Sequence, residues 1–194
     1  MSRSNVKVLL TVACAAALAP FAVAGAADRP AVVAVRVDGA SGVPERATGT
    51  VIAPGSVLTV AHVLEGGRRV SVAGRPAKAV WRRPESDLAL LRAPGVSGPH
   101  VRFGTAGEDL RVLLVDGPRA AGLRRRVRAR LVDQPGRPRR PSLELGVPVA
   151  AGDSGAPVVT PRGEIVGVVF ARSTRSPGRA YAVRVDRRAA NGGR

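Results

Sequence analysis

The chain has 194 residues, of which 45% are apolar and 3% aromatic, and its formal net charge is +17. This length allows one substantial core or two small cores that share an interface, and the scarcity of aromatic residues leaves the packing to Val, Leu, Ala and Ile. The basic residues are nearly all arginine, and their densest stretch, at 123–130 followed by Arg137, Arg139 and Arg140, has no interleaved aromatic side chain and no zinc-ligand spacing, which speaks against specific nucleic-acid binding. They indicate a solvated basic surface, with weak attraction to an anionic cell envelope as the alternative.

The first 27 residues have the three-part pattern of a secretory signal. Arg3 and Lys7 precede an apolar run from residue 8 to 19, and small residues near Ala27 suit a signal peptidase. We therefore expect cleavage near Ala27, with an uncleaved signal as the alternative, and a mature protein that is secreted, or that stays in the periplasm or cell envelope. The single cysteine, Cys14, lies inside this segment, so the mature chain is expected to form no disulfide bond.

After residue 28 the apolar pattern has period two or forms short runs, which is typical of β-strands. A stretch rich in glycine and proline at 94–107 separates two sets of six such segments. The pattern predicts an all-β fold of two antiparallel barrels or a long sandwich, with halves at 28–97 and 98–194. No helix is predicted outside the leader, and an irregular polar tail is predicted after Asp186. The predicted strands are 31–37, 49–53, 57–61, 70–73, 77–81, 88–92, 110–115, 123–132, 142–149, 156–160, 164–170 and 179–185.

The segment AAGDSGAPVV, residues 150–159, places Ser154 in a turn flanked by glycines. A serine hydroxyl attacks a carbonyl carbon only when a base removes its proton and donors stabilise the oxyanion. Gly152 and Gly155 allow successive backbone N–H groups to point the same way, so the amides of Gly152 and Ser154 can converge on one oxygen. A solvated turn serine is the alternative interpretation. The adjacent Asp153 is expected to make a local or salt-bridge contact.

Two histidines are available as the base: His62 at the end of an apolar strand and His100 in the segment between the halves. A histidine at a strand end is often structural, so His62 by itself does not indicate catalysis. Asp87 directly precedes an apolar strand, and enough residues separate it from His62 for a hairpin or two to bring the strand ends together. For Asp87 a turn or capping role is the alternative.

Taken together, several segments share residue type, order and local context with one family. They resemble the signature motifs of the chymotrypsin-like serine proteases, in that family's His, Asp, Ser order. The likeness extends over about residues 31–185, and its last segments most resemble the protease domain of actinobacterial membrane-anchored periplasmic serine proteases. The matching segments are ATGTVIA at 47–53, VLTVAH at 57–62, DLALL at 87–91, GDSGAP at 152–157, IVGVVFA at 165–171 and AYAV at 180–183.

The resemblance implies two six-stranded antiparallel barrels of the chymotrypsin-like type, with the active site between them. It implies hydrolysis of peptide bonds through an acyl-enzyme intermediate, without metal or cofactor. Ser154 would be the nucleophile, His62 the general base and then acid, and Asp87 the group that fixes the imidazole tautomer. The amides of Gly152 and Ser154 would form the oxyanion hole.

The same resemblance implies where a peptide or protein substrate binds. Phe170, Ala171 and Arg172 would form an edge strand that pairs with the substrate backbone. Pro148 would lie at the base of the primary pocket; because it brings no carboxylate, a small or medium apolar substrate side chain is favoured over arginine or lysine. Two positions depart from the family pattern: Ala156 stands where a second glycine is usual, and Phe170 where many members have serine.

These departures leave two alternatives to a secreted serine endopeptidase. One is a catalytically inactive binding module of the same fold at the cell envelope, since a fold does not determine a function. The other is a basic protein that binds the envelope or nucleic acid, in which the three side chains do not act together. The sequence leaves the natural substrate and the oligomeric state open.

Overall fold

The computed structural model describes residues 31–39, 42–115, 122–133 and 141–192, and these form two closed β-barrels. The predicted leader at 1–27 lies outside the described residues, as do Arg137, Arg139 and Arg140 of the basic stretch. Within the described ranges no helix combines the length and the hydropathy that a membrane span requires.

The first barrel is formed by six antiparallel strands in the order β1-β2-β3-β6-β5-β4. Pairing of Val35 on β1 with Val72 on β4 closes it. The strand β3 lies between β2 and β6, so the residues that follow β3 and those that precede β6 meet at one end of the barrel. The strands are β1 (Ala31–Gly39), β2 (Glu45–Ala53), β3 (Ser56–Val60), β4 (Gly67–Val72), β5 (Arg75–Arg83) and β6 (Leu88–Arg92).

The second barrel repeats this plan in the order β10-β11-β12-β9-β8-β7, and Val158 on β10 pairs with Val112 on β7 to close it. The prediction of two six-stranded antiparallel barrels is therefore confirmed. The strands are β7 (Asp109–Val115), β8 (Gly122–Asp133), β9 (Pro141–Leu145), β10 (Pro157–Val159), β11 (Ile165–Arg172) and β12 (Ala180–Arg184).

Alternating valines and leucines fill the two barrels and the contact between them. One apolar cluster combines side chains of the first barrel, such as Val57 and Leu91, with Ile165, Val168 and Val185 from the second half of the chain. Each of these five residues is at most 4% exposed. Because burial of a valine or leucine side chain stabilises a fold by about 1.5–3 kcal/mol, this shared cluster holds the two barrels against each other.

Within the described residues, two short helices interrupt the β-structure, and the sequence pattern predicted neither of them. A 3₁₀ helix at His62–Leu64 follows β3, and α1 (Arg187–Ala190) follows β12. The prediction of an irregular tail after Asp186 is wrong for α1, because the Asp186 carboxylate caps the helix by accepting the Ala189 amide at 2.7 Å. Ala190 is fully buried and belongs to the apolar cluster that both barrels share.

Candidate active site

Asp87 occupies the turn between β5 and β6 with its carboxylate facing the end of β3. It is 7% exposed, and its φ of +54° lies in the left-handed region, which costs a non-glycine residue about 1–3 kcal/mol. Its Oδ1 accepts hydrogen bonds from the backbone amides of Ala61 at 3.1 Å and His62 at 2.9 Å. Its Oδ2 lies 2.8 Å from Nδ1 of His62. These bonds hold the carboxylate in one orientation despite the strained backbone.

His62 begins the 3₁₀ helix after β3, and its imidazole is 43% exposed while the side chain of Asp87 is 11% exposed. Because an ionised carboxylate can only accept hydrogen bonds, Nδ1 of the neutral ring carries the proton, and Nε2 keeps its lone pair. The hydrogen bond to Asp87 raises the pKa of His62 above its ordinary value. Burial opposes that rise, and the negative charges of Asp87, Glu65 and Glu45 add to it.

The turn that carries Ser154 is bonded to both barrels. The Ser154 carbonyl accepts the Thr48 amide of β2 at 2.7 Å, and the Gly155 amide donates to the Val169 carbonyl of β11 at 2.7 Å. Within the described ranges no hydrogen bond joins the Ser154 hydroxyl to His62. The structure therefore brings His62 and Asp87 into direct contact, and it anchors Ser154 beside the same barrel end through β2.

Gly155 shows why this turn needs glycine. Its φ is +95°, and a Cβ at this position would lie 1.8 Å from the Thr48 carbonyl oxygen and 2.7 Å from Oγ1 of Thr59. Only a residue without a side chain lets β2 approach the serine turn so closely. Gly152, with φ at +101°, also has a conformation that other residues rarely adopt. The amides of Gly152 and Ser154 donate to no acceptor among the described residues, so both are available to an incoming oxygen.

Thr48 belongs to the segment ATGTVIA, whose sequence predicts no role for it at the site. It is 1% exposed, and its Oγ1 donates to the Gly152 carbonyl at 2.8 Å. Its own carbonyl accepts Oγ1 of Thr59 at 2.8 Å, and Thr59 lies on β3 shortly before His62. Thr48 thus connects the serine turn to the strand that leads to His62. The only signal in the sequence is a polar β-branched residue within an apolar strand.

The predicted substrate-binding positions lie on β11 and in the segment before the serine turn. The β10–β11 ladder ends at the pair Pro157–Val168, whereas β11 continues along β12, where Ala171 pairs with Tyr181. The last part of β11 is thus paired with β12. Phe170 lies at a bulge of this strand, before Ala171 and the exposed Arg172. Pro148 is exposed between β9 and the serine turn, and its role in a pocket stays a prediction.

The remaining residues of interest are explained by local contacts. Asp153 makes the expected local contact, because its Oδ2 accepts the Ala150 amide at 2.7 Å. Ala156 is fully buried in the core of the second barrel, and it is not among the residues with positive φ, so its methyl group fits without backbone strain. His100 is exposed in the segment that connects the two barrels along the chain. In the part of the chain that the structure describes, no three His, Cys, Asp or Glu side chains are grouped as metal ligands.

Known proteins share both the sequence pattern and the fold of this chain. The family pattern of the trypsin-like peptidase domain matches residues 47–168, which include all three predicted triad positions. Serine protease Rv3671c of Mycobacterium tuberculosis (strain ATCC 25618 / H37Rv) is 34% identical over 139 residues, which are 63% of this chain and 35% of that protein. A probable periplasmic serine endoprotease, DegP-like, of Ectopseudomonas mendocina (strain ymp) is 31% identical over 151 residues, which are 69% of this chain and 31% of that protein. The chain spans about a third of the length of these curated relatives.

Solved structures give the same result for the fold. The crystal structure of the active form of the Rv3671c protease from M. tuberculosis matches with a TM-score of 0.71 at 29% identity, over 84% of this chain and 79% of that one. The HtrA-type protease AlgW with tripeptide matches with a TM-score of 0.70 at 20% identity, over 86% and 59% of the two chains. The resemblance to chymotrypsin-like serine proteases is thus confirmed, and the chain belongs to the trypsin-like peptidase family.

Proposed function

We propose that the chain is a serine-type endopeptidase in which Ser154, His62 and Asp87 form the catalytic triad. The observation that carries the proposal is the 2.8 Å contact between Asp87 Oδ2 and His62 Nδ1, because it leaves Nε2 unprotonated and able to act as a base. The serine turn, anchored to β2 beside the same barrel end, supplies a nucleophile and two backbone donors. The names of the relatives, serine protease and serine endoprotease, support the reaction class.

In the proposed reaction, Oγ of Ser154 attacks the scissile carbonyl carbon while its proton passes to Nε2 of His62. The amides of Gly152 and Ser154 bind the resulting oxyanion; loss of one such donor slows a reaction of this type about 10²–10³-fold. Collapse of the tetrahedral intermediate breaks the C–N bond, and the leaving amine takes the proton from Nε2. Water then attacks the acyl-enzyme ester by the same route, which releases the carboxylic acid and restores Ser154.

Asp87 stays ionised throughout and stabilises the imidazolium that forms in each half of the reaction. The hydrogen bond between Ser154 and His62 forms in the substrate complex, where such catalytic contacts commonly tighten. The buried Oδ1 bonds to the amides of Ala61 and His62 keep the carboxylate in place during this change. The role of Asp87 is therefore both electrostatic and geometric.

The substrate backbone is proposed to pair with the end of β11 at Phe170, Ala171 and Arg172. The resemblance to chymotrypsin-like serine proteases supports this assignment, because extended peptides bind such proteins by adding as a strand, and β11 is already part of a paired sheet with β12. Pro148 is proposed to lie at the base of the primary pocket, where it favours a small or medium apolar side chain. A profile of cleaved peptides from a random library tests both assignments.

The protein is proposed to act outside the cytoplasm, because residues 1–27 have the pattern of a secretory signal and DegP-like relatives are named as periplasmic. Attraction to anionic envelope polymers is proposed on a further observation. The three neighbouring strands β4, β5 and β6 carry seven basic and no acidic residues, and Lys78 pairs in register with Arg92. Two like charges in direct cross-strand opposition destabilise a sheet unless an anion lies near them.

The catalytic proposal is tested by labelling the purified protein with a fluorophosphonate, which reacts with an activated serine. Labelling of the wild type that is absent in Ser154→Ala, together with hydrolysis of peptides, is the expected result. A folded wild-type protein that takes up no label and cleaves no peptide would instead identify an inactive binding module.

The envelope proposal is tested separately by retention on a poly(glycerol phosphate) resin. Retention should fall steeply with salt and weaken in a Lys78→Gln, Arg92→Gln variant; unchanged retention in that variant would contradict the assignment.

A further inference from the structure

A cleft of ≈ 580 Å³ lies beside the serine turn, within the size range of sites that bind small groups. The first barrel contributes one wall of this cleft and the serine turn contributes the other. The residues that line it include Arg36, Arg46, Thr48, Gly152 and Asp153.

The position of the cleft relative to the proposed reaction follows from the contacts of the serine turn. That turn is bonded to Thr48 on one side and to Val169 of β11 on the other. The acyl part of a substrate is proposed to pair with β11, on the Val169 side. The leaving amine must reach His62, which belongs to the first barrel, as do Thr48 and the other strand residues that line the cleft. The cleft therefore lies on the side where the leaving group departs.

Two arginines give this cleft its charge. Arg36 on β1 pairs in register with Arg46 on β2, so two cations lie directly opposite each other. Arg36 is compensated by an ion pair with Asp38, whose Oδ1 lies 2.9 Å from Nε, while Arg46 forms no ion pair with any described residue. The one acid that lines the cleft, Asp153, already accepts the Ala150 amide through Oδ2. The cleft thus holds an exposed cation whose nearest cross-strand neighbour has the same charge.

Arg46 also lies close to the proposed oxyanion hole. Its Cβ would be 3.9 Å from a Cβ placed on Gly152. Successive residues of an extended peptide advance by about 3.3 Å, so the first residues after the scissile bond come within reach of the guanidinium. A substrate carboxylate at one of these positions would form a charge-assisted hydrogen bond with Arg46 and would reduce the electrostatic repulsion between the two arginines.

We propose that Arg46 gives the enzyme a preference for substrates with an acidic side chain at the first or second position after the scissile bond. This inference rests on the proposed peptidase function and adds a selectivity that the catalytic residues do not determine. Because Arg46 is exposed, the gain is modest: about two- to fivefold in kcat/KM for a glutamate over a glutamine peptide. The preference should shrink as salt screens the charges.

The test uses peptides with identical acyl halves and glutamate, glutamine or lysine at the first or second position of the leaving half. The wild type should prefer glutamate, Arg46→Gln should cleave the three peptides at similar rates, and Arg46→Glu should prefer lysine. Arg162→Gln, which removes an exposed arginine from the turn between β10 and β11, should keep the wild-type preference. Fluorophosphonate labelling should be unchanged in all variants, since it does not depend on the leaving half of a peptide.

Equal cleavage of the glutamate and glutamine peptides by a wild-type enzyme that takes up the label would overturn the proposed role of Arg46 and leave the peptidase function standing. A preference for glutamate that survives in Arg46→Gln would overturn it as well. Absence of both label and cleavage would overturn the peptidase function and this inference with it. The three failures are therefore distinguishable in one set of experiments.

Discussion

The carboxylate of Asp87 holds His62 at two points, with Oδ2 2.8 Å from the ring Nδ1 and Oδ1 2.9 Å from the backbone amide. The first contact selects the tautomer of the ring, and the second fixes the position of the residue that carries it. A single buried side chain thus determines both where the proposed base lies and which of its nitrogens can accept a proton.

Replacing Asp87 by asparagine should separate these two roles. The amide oxygen of Asp87→Asn can still accept the backbone N–H groups, but the neutral side chain no longer fixes the tautomer or stabilises the imidazolium. We expect kcat to fall about 10⁴-fold with little change in fold, measured by peptide hydrolysis and circular dichroism. Glu85→Gln, which removes an exposed carboxylate from the same turn, should keep wild-type kcat. A loss smaller than tenfold in Asp87→Asn would exclude Asp87 as the orienting group.

The raised pKa of His62 predicts the acid limb of the activity profile. The base must be neutral to accept the serine proton, so kcat/KM falls when pH drops below this pKa, and a raised pKa places the limb above pH 6.5. In Glu65→Gln one of the charges that raise the pKa is removed, and the limb should move to lower pH while the plateau rate stays the same. A limb below pH 6.5 in the wild type, or a shift to higher pH in Glu65→Gln, would contradict this account.

The close approach at Gly155 predicts a large loss of stability in Gly155→Ala. A methyl group 1.8 Å from the Thr48 carbonyl oxygen must displace β2 or the serine turn, so we expect unfolding free energy to fall by about 4 kcal/mol or more. Gly178→Ala is the matched control, because Gly178 also has positive φ, at +85°, but a Cβ there meets nothing within 4 Å. The control should lose only about 1–2 kcal/mol in urea denaturation. Equal losses of unfolding free energy in the two variants would show that the close contact with β2 adds nothing to the cost of a side chain at this position.

The hydrogen bond from Thr48 to the Gly152 carbonyl predicts a catalytic role for Thr48 as a positioning residue. In Thr48→Val the backbone bonds remain, but the Gly152 peptide loses its 2.8 Å tether, so we expect kcat to fall about tenfold with KM unchanged. Thr50→Val makes the same isosteric change on the same strand, where the buried hydroxyl has no hydrogen-bond partner among the described residues. The control should keep full activity and equal or higher stability. A rise in KM at constant kcat in Thr48→Val would argue for a substrate contact instead.

Strands such as β3 and β6 could be predicted because they bury an apolar pattern that is visible over a few residues. The segment predicted at 88–92 became β6 with unchanged ends, since its apolar run is bounded by Asp87 and a turn. The strand predicted at 142–149 ends at Leu145, although Val147 beyond it is 1% exposed. A residue such as Val147, which is buried beyond the end of the strand, is as apolar in the sequence as the residues buried within it, so the sequence does not mark where β9 ends.

The parts of the site that sequence reasoning missed depend on contacts between distant residues. The bond from Thr48 Oγ1 to Gly152 joins positions 104 residues apart, and no local pattern distinguishes Thr48 from Thr50 on the same strand. The positive φ of Asp87 was equally invisible, because it is imposed by the hydrogen bonds that surround the carboxylate. By contrast, the need for glycine at Gly155 could be expected from its motif, while the atom that requires it, the Thr48 carbonyl oxygen, could not.

The apolar cluster shared by the barrels has a consequence for how the chain matures. Val183, Val185 and Ala190 join this cluster with residues of β1, β2 and β3, so the first barrel gains its final packing only after residues synthesised much later have emerged. A nascent chain that has been synthesised only as far as β10 therefore lacks both a finished first barrel and the bond from the Gly155 amide that anchors the serine turn on β11. The proposed catalytic site is therefore complete only after residues as late as Ala190 have been synthesised and have packed into this cluster.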